Sequence, residues 1–152
     1  MLETRRATPS DLPAIIALLA DDPLGQSRET VGDPPANEYL TAFKMIDRDP
    51  NQLLVVMTDA DEVVGTLQLT FIPGLARRGA LRGQIEAVRV AASHRGQGLG
   101  EQLFRWAIEE CLKRGCALVQ LTTDRSRSDA HRFYDRLGFE PTHIGYKLKL
   151  GE

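Results

Sequence analysis

Apolar and polar positions recur along this chain with two periods, and the switches between them mark out its elements. Residues 2–6 read as a short first strand. Thr8-Pro9-Ser10-Asp11 then has the form of a helix start, with Thr8 as cap, Pro9 in the first turn and Asp11 facing the helix dipole. Leu12, Ile15, Ile16 and Leu19 follow at helical spacing and predict one buried stripe. Residues 21–37 are rich in breakers and polar groups; a loop of that length in a compact domain is usually functional or mobile. A second helix is predicted over 37–47, with Tyr39, Leu40, Phe43 and Ile46 inward.

Three strand signals come next. Leu53 to Met57 is a continuous apolar run, and residues 62–72 alternate, with Gly65, Leu67, Leu69 and Phe71 on one face. Residues 81–91 end in Ile85-Glu86-Ala87-Val88-Arg89-Val90. The short turns between these runs argue for antiparallel pairing. A long helix is predicted from about Gly98 to Arg114, its apolar face carrying Leu99, Leu103, Trp106, Ala107 and Cys111 and widened by Phe104, Ile108 and Leu112. A strand over 117–122, a short helix holding Ala130, Phe133, Tyr134 and Leu137, and an alternating last strand with Ile144, Tyr146, Leu148 and Leu150 complete the pattern. The order β-α-α-β-β-β-α-β-α-β predicts a mixed α/β sheet with helices packed on it.

Composition narrows the functional classes. The 152 residues fit one domain, 1–152, and a 42% hydrophobic content suffices for a core. A formal charge of -2 supplies no field for drawing nucleic acid or acidic membranes, so neither is expected as a partner. Cys111 and Cys116 are too few for a disulfide framework and lack metal-ligand spacing; they read as reduced thiols of a cytoplasmic protein, with no metal expected. The N-terminus lacks the apolar stretch of a signal peptide, and no apolar run approaches the ~20 residues of a membrane span.

The sharpest chemical signal is Ser93-His94-Arg95-Gly96-Gln97-Gly98-Leu99-Gly100, between a strand and a long helix. Glycines let backbone approach a ligand and turn amides toward it, and the helix that follows begins with unsatisfied donors and partial positive charge. Together these suit a pyrophosphate, and Arg95 adds a cation. A ligand-free turn is one alternative, although glycines at 98 and 100 cost helix stability. A dinucleotide fold is another, with Asp124 at roughly the expected ~20-residue distance. Against it, Glu101 stands where the third fingerprint glycine belongs, and only about fifty residues remain for the repeated parallel units. The third is a coenzyme A site.

Arg95-x-x-Gly98-x-Gly100, after the strand Val88-Arg89-Val90, resembles the pyrophosphate loop of the GNAT superfamily of N-acetyltransferases. The block Ala130-His131-Arg132-Phe133-Tyr134-Asp135-Arg136-Leu137-Gly138-Phe139 resembles that family's late helix and its Gly-Phe exit. The resemblance implies a single GNAT-like α/β domain, with a mixed, mostly antiparallel sheet splayed at the cofactor site and about four helices. It implies acetyl-coenzyme A as cosubstrate, with backbone groups of Val88 and Val90 pairing with pantetheine and amides of Gly96, Gln97, Gly98, Leu99, Gly100 and Glu101 holding the pyrophosphate. Many members have Asn where Arg127 stands. The stretch 129–134 with Thr142-His143 also resembles aminoalkylphosphonate N-acetyltransferases.

The expected reaction is direct transfer of acetyl to a small-molecule amine or a peptide N-terminus in a ternary complex. Tyr134 is the candidate acid for the leaving thiolate; the other reading is an aromatic packed on a helix face. Glu86 is the candidate base, expected to share a face with Val88 and Val90; the other reading is an ion-pair partner for Arg89 or a loop arginine. His131 and His143 are further titratable candidates, and no serine–histidine–acid arrangement is visible from spacing. Arg77 and Arg78 read as a solvated basic loop or as a clamp for an acidic acceptor. Family members often pair, which leaves a homodimer open. The rival of another class is a non-catalytic acyl-coenzyme A sensor or regulatory module.

Overall fold

The computed structural model describes residues 1–151, so only Glu152 of the expected domain 1–152 lies outside the described residues. The chain forms two compact units, Met1–Val119 and Gln120–Glu152. In chain order the elements are β1 (Leu2–Arg6), α1 (Leu12–Ala20), α2 (Gly25–Arg28), α3 (Asn37–Arg48), β2 (Gln52–Asp59), β3 (Glu62–Ile72), α4 (Ala76–Gly79), β4 (Arg82–Val90), α5 (Leu99–Lys113), β5 (Leu118–Gln120) and α6 (Ser128–Arg136). α2 and α4 are single turns, and the four longer helices are α1, α3, α5 and α6.

The sheet order is β1-β2-β3-β4-β5, and the pairs from β1 through β4 are antiparallel. After α5 crosses over, the Ala117 amide donates to Leu81 O at 2.8 Å. β5 therefore enters beside the start of β4 and runs parallel to it, which makes the sheet mixed. β5 has three residues and accompanies only the first half of β4.

Each face of the sheet has its own apolar cluster, as period-two side chains require. On one side Val56 packs with Ala7, Leu12, Ile15 and Phe43. On the other Met57 and Val64 pack with Leu99 and Leu103 of α5. Val55, Val56, Val64, Leu67, Leu69 and Leu103 are fully buried, each contributing about 1.5–3 kcal/mol as side-chain burial. Close contact of α5 with the sheet depends on Gly83, where a Cβ would collide with Cys111 Sγ. The helix start at Thr8 is held by Asp11, which accepts from the Thr8 amide at 2.7 Å and from both terminal nitrogens of Arg5 at 2.7 and 3.1 Å. These bonds, the Arg5 one foremost, keep the buried Asp11 carboxyl below its ordinary pKa. The long segment after α1 is tied down by Tyr39 of α3, whose hydroxyl donates to Glu29 at 2.8 Å and accepts from the Thr30 amide at 2.9 Å.

Two expectations are corrected. Leu112 is not part of the buried face of α5 but is 65% exposed. The alternating segment at 144–150 is not a strand: residues 139–151 have no regular structure, and Ile144, Tyr146, Leu148 and Leu150 are 71–92% exposed. Alternation prepares a segment for a sheet, but a strand exists only where another strand takes up its amides and carbonyls.

Candidate active site

Around the middle of β4 the ladder with β3 breaks. Gln68 pairs with Glu86 and Thr66 with Arg89, so two steps on β3 match three on β4. The extra residue is accommodated at Ala87, whose φ is 56°, in the left-handed region. A bulge of one residue reverses the side-chain parity beyond it. Glu86 therefore shares a face with Arg89, Gln68 and Thr66, while Val88 and Val90 turn to the α5 side. This corrects the expected common face for Glu86, Val88 and Val90.

The bulge also changes the partners. Arg89 is not paired with Glu86; its Nε lies 2.9 Å from Asp22 Oδ2, just after α1. The Glu86 carboxylate is exposed and, among the described residues, has no hydrogen-bond or ion-pair partner. Beyond the bulge, Val88 and Val90 have β3 on one side. β5 ends too early to cover the other, so that edge of β4 is open in the first unit.

The glycine turn continues from β4 through a 3-10 turn at Ala92–His94. Gly96 and Gly98 have φ of 78° and 80°, a conformation few residues but glycine adopt, and a Cβ at either would meet nothing within 4 Å. Gly98 caps the fifteen-residue α5 with no side-chain hydrogen bond. The first α5 amide bonded back to the cap is that of Gln102, to Gly98 O at 3.1 Å. The amides of Leu99, Gly100 and Glu101 thus precede the helix's own bonding and are donors for an anion. Gly100 has ordinary φ, and a Cβ there would touch only Val90 Cγ2 at 4.0 Å, so the chain itself does not require glycine at this position. Open space before the turn, left-handed glycines and uncapped amides fit a pyrophosphate.

Arg95 is engaged elsewhere: its Nη2 reaches Asp21 O at 3.2 Å and Asp21 Oδ2 at 3.4 Å, and its Nε reaches Val90 O at 3.3 Å. Asp21 and Asp22 thus hold the turn and β4 to the end of α1. On the other side of the turn, His94 Nε2 lies 2.9 Å from Asp59 Oδ2, and His94 Nδ1 lies 2.8 Å from Ser93 Oγ. This serine–histidine–acid chain was invisible in the sequence because Asp59 comes from the far end of β2. It clasps the turn to the sheet. Gln97 is exposed in the turn. Arg77 and Arg78 form a left-handed turn in α4, with φ of 57° and 63°; both are exposed, with no partner among the described residues.

In the second unit, α6 ends in a Schellman motif. The Phe139 amide donates to Tyr134 O and the Gly138 amide to Asp135 O, both at 3.1 Å, with Gly138 at φ 95°. The Gly-Phe exit therefore has a physical cause: glycine supplies the left-handed residue, and the Phe139 ring meets Tyr134 edge-on at 6.3 Å. Phe133 flanks the same ring at 5.8 Å. Tyr134 is half-buried. Among the described residues no His/Cys/Asp/Glu group is arranged to hold a metal, and no helix is long and apolar enough to cross a membrane.

Known proteins resemble this chain in sequence and fold. Residues 13–139 match the acetyltransferase (GNAT) family. An aminoalkylphosphonate N-acetyltransferase of Salmonella typhimurium is 31% identical over 148 residues, 97% of this chain and 91% of the relative. A crystal structure of a transcriptional regulator from Bacillus halodurans superposes with a TM-score of 0.96 at 47% identity, over 99% of this chain and 100% of the other. A Trypanosoma brucei acetyltransferase superposes at 0.80 with 29% identity, over 99% and 100%. With the glycine turn, the β4 bulge and the late helix all in place, the chain belongs to the GNAT family of acetyltransferases, as a single domain of that fold.

Proposed function

We propose that this protein is a cytoplasmic, acetyl-coenzyme A-dependent N-acetyltransferase that transfers acetyl to a primary amine by direct attack in a ternary complex. The observation that carries this reading is the turn at Gly96 and Gly98, opening into the uncapped amides of α5 beside the open edge of β4. Amides of residues 96–101 hold the pyrophosphate, and backbone groups of Val88 and Val90 pair with the pantetheine arm. Acetyl-coenzyme A supplies the activated acetyl group as a thioester.

The chain's own side chains manage the protons. An alkylamine has a pKa of about 10.4 and arrives protonated, so a base must relieve it. Glu86 is that base: exposed, without a partner among the described residues and next to the bulge. Tyr134 gives a proton to the departing thiolate. A covalent acetyl-cysteine is disfavoured, because burial, with the neighbouring Cys116 thiol, pushes Cys111 up to about 12. Arg77 and Arg78, exposed and unpartnered among the described residues, supply charge for an acidic acceptor. The aminoalkylphosphonate relative supports an acceptor of that kind.

The regulator named among the solved structures favours a second reading, an acyl-coenzyme A sensor without turnover. Release of free thiol from acetyl-coenzyme A, measured with a panel of amines that includes aminoalkylphosphonates, separates the two. Amine-dependent release with an acetylated product is expected. Coenzyme A binding without release for any amine would leave the sensor.

A further inference from the structure

The face of the sheet that carries Glu86 is not apolar at this end. Cross-strand register places Gln52 of β2 opposite Thr70 of β3, and Gln68 of β3 opposite Glu86 of β4. Residues 68 and 70 lie two apart on one strand, so Gln52, Gln68, Thr70 and Glu86 all stand on the same face. Gln52, Gln68 and Thr70 are half-buried and bonded to one another. Gln52 Oε1 accepts from Gln68 Nε2 at 2.9 Å and from Thr70 Oγ1 at 3.1 Å.

That network sets the direction of one amide. With its nitrogen committed to Gln52 on the β2 side, Gln68 keeps its Oε1 as a spare acceptor, and Glu86 stands directly opposite it on the neighbouring strand. Directly opposed residues have Cβ atoms about 4.5–5.5 Å apart, within reach of one small group bonded to both. Two acceptors, one charged and one neutral, thus stand on opposed residues of one face, and the carboxylate has no partner among the described residues. A primary ammonium has the complementary set: positive charge and three N–H donors.

We propose that Gln68, aimed by Gln52 and Thr70, forms with Glu86 the seat of the acceptor amine, as a substrate-binding residue that orients the nitrogen. This rests on the acetyl-transfer reading above. Gln68 Oε1 and the Glu86 carboxylate each accept one N–H; Glu86 takes the proton it holds, and the neutral amine, still bonded to Gln68, turns the lone pair this uncovers toward the thioester. Gln52 is a positioning residue, one step removed from the substrate.

The test is steady-state thiol release by the full chain with acetyl-coenzyme A and, in separate series, 2-aminoethylphosphonate, ethanolamine and an alanyl peptide, using Gln68→Ala, Gln68→Glu and Gln52→Leu. A lost hydrogen bond to a charged group predicts that Gln68→Ala raises the acceptor KM about tenfold or more. The acetyl-coenzyme A KM and the melting temperature should stay near the parent's. Gln68→Glu keeps an acceptor oxygen but gives up the bond to Gln52 and sets a second carboxylate opposite Glu86, so it should recover only part of the loss. Gln52→Leu frees the amide to turn and should raise the acceptor KM about threefold, because a misaimed acceptor retains part of its bond. If the parent turns over an amine but Gln68→Ala keeps its acceptor KM, the seat is wrong and acetyl transfer stands. If the parent binds coenzyme A but consumes none of the amines, the acetyl-transfer reading fails and the seat falls with it.

Discussion

The two units of this chain use similar sequence patterns to different ends. In Met1–Val119, β3 alternates from Glu62 to Ile72 and lies between β2 and β4, and Leu67 and Leu69 on its α5 side are fully buried. In the second unit, Ile144-Gly145-Tyr146-Lys147-Leu148-Lys149-Leu150 alternates just as regularly, yet it forms no strand and its large side chains are exposed. The difference lies in the neighbours. β3 has a strand on each side to bond its backbone and a helix to cover its apolar face, whereas the C-terminal segment, among the described residues, has no pairing strand. The second unit draws its order from a helix end, the Schellman turn at Gly138 with Tyr134 against Phe139.

The largest expected effect concerns chemistry assigned to the second unit. Tyr134→Phe keeps the ring and its contact with Phe139, so the α6 terminus should survive. General acid catalysis typically contributes about 10²–10⁴-fold, and kcat should fall by that much with little change in the acetyl-coenzyme A KM. Kinetics within about twofold of the parent would make Tyr134 a packing residue, with the proton supplied by water.

Next in size is a direct comparison of the two alternating segments. Leu67→Ala empties a fully buried site and should cost about 2–5 kcal/mol in denaturant unfolding. Leu148→Ala removes an exposed side chain and should stay within about 0.5 kcal/mol. Similar losses at both positions would mean that the C-terminal segment is buried in solution.

The smallest effect sharpens the account of the bulge. Ala87 holds a left-handed φ that costs an L residue about 1–2 kcal/mol, so Ala87→Gly should stabilise the fold by about 1 kcal/mol. Ala87→Val should destabilise it, because a branched Cβ fits φ > 0 still less well. Chemical denaturation of the pair checks this; a Gly variant less stable than the parent, with Val at least as stable, would place residue 87 in ordinary extended backbone.

What the sequence determined by itself was whatever local chemistry governs. The 3-10 turn at Pro9–Asp11 that leads from Thr8 into α1, the amphipathic stripes of α1 and α5, the left-handed glycines at 96 and 98 and the Gly-Phe exit at 138–139 depend on φ preferences and on bonds a few residues apart. Only the tertiary structure decided which way Glu86 faces. The bulge sits at an alanine rather than a glycine, so nothing in the residue type marked the parity change, and the change appears only when β3 is laid beside β4. The same holds for Asp22 against Arg89, Asp59 against His94 and Gln52 against Gln68, whose partners come from different elements. It holds too for residues 144–150. Alternation fixes which side chains a strand would bury, but the backbone bonds that make a strand belong to two segments, and one sequence pattern specifies only its own half.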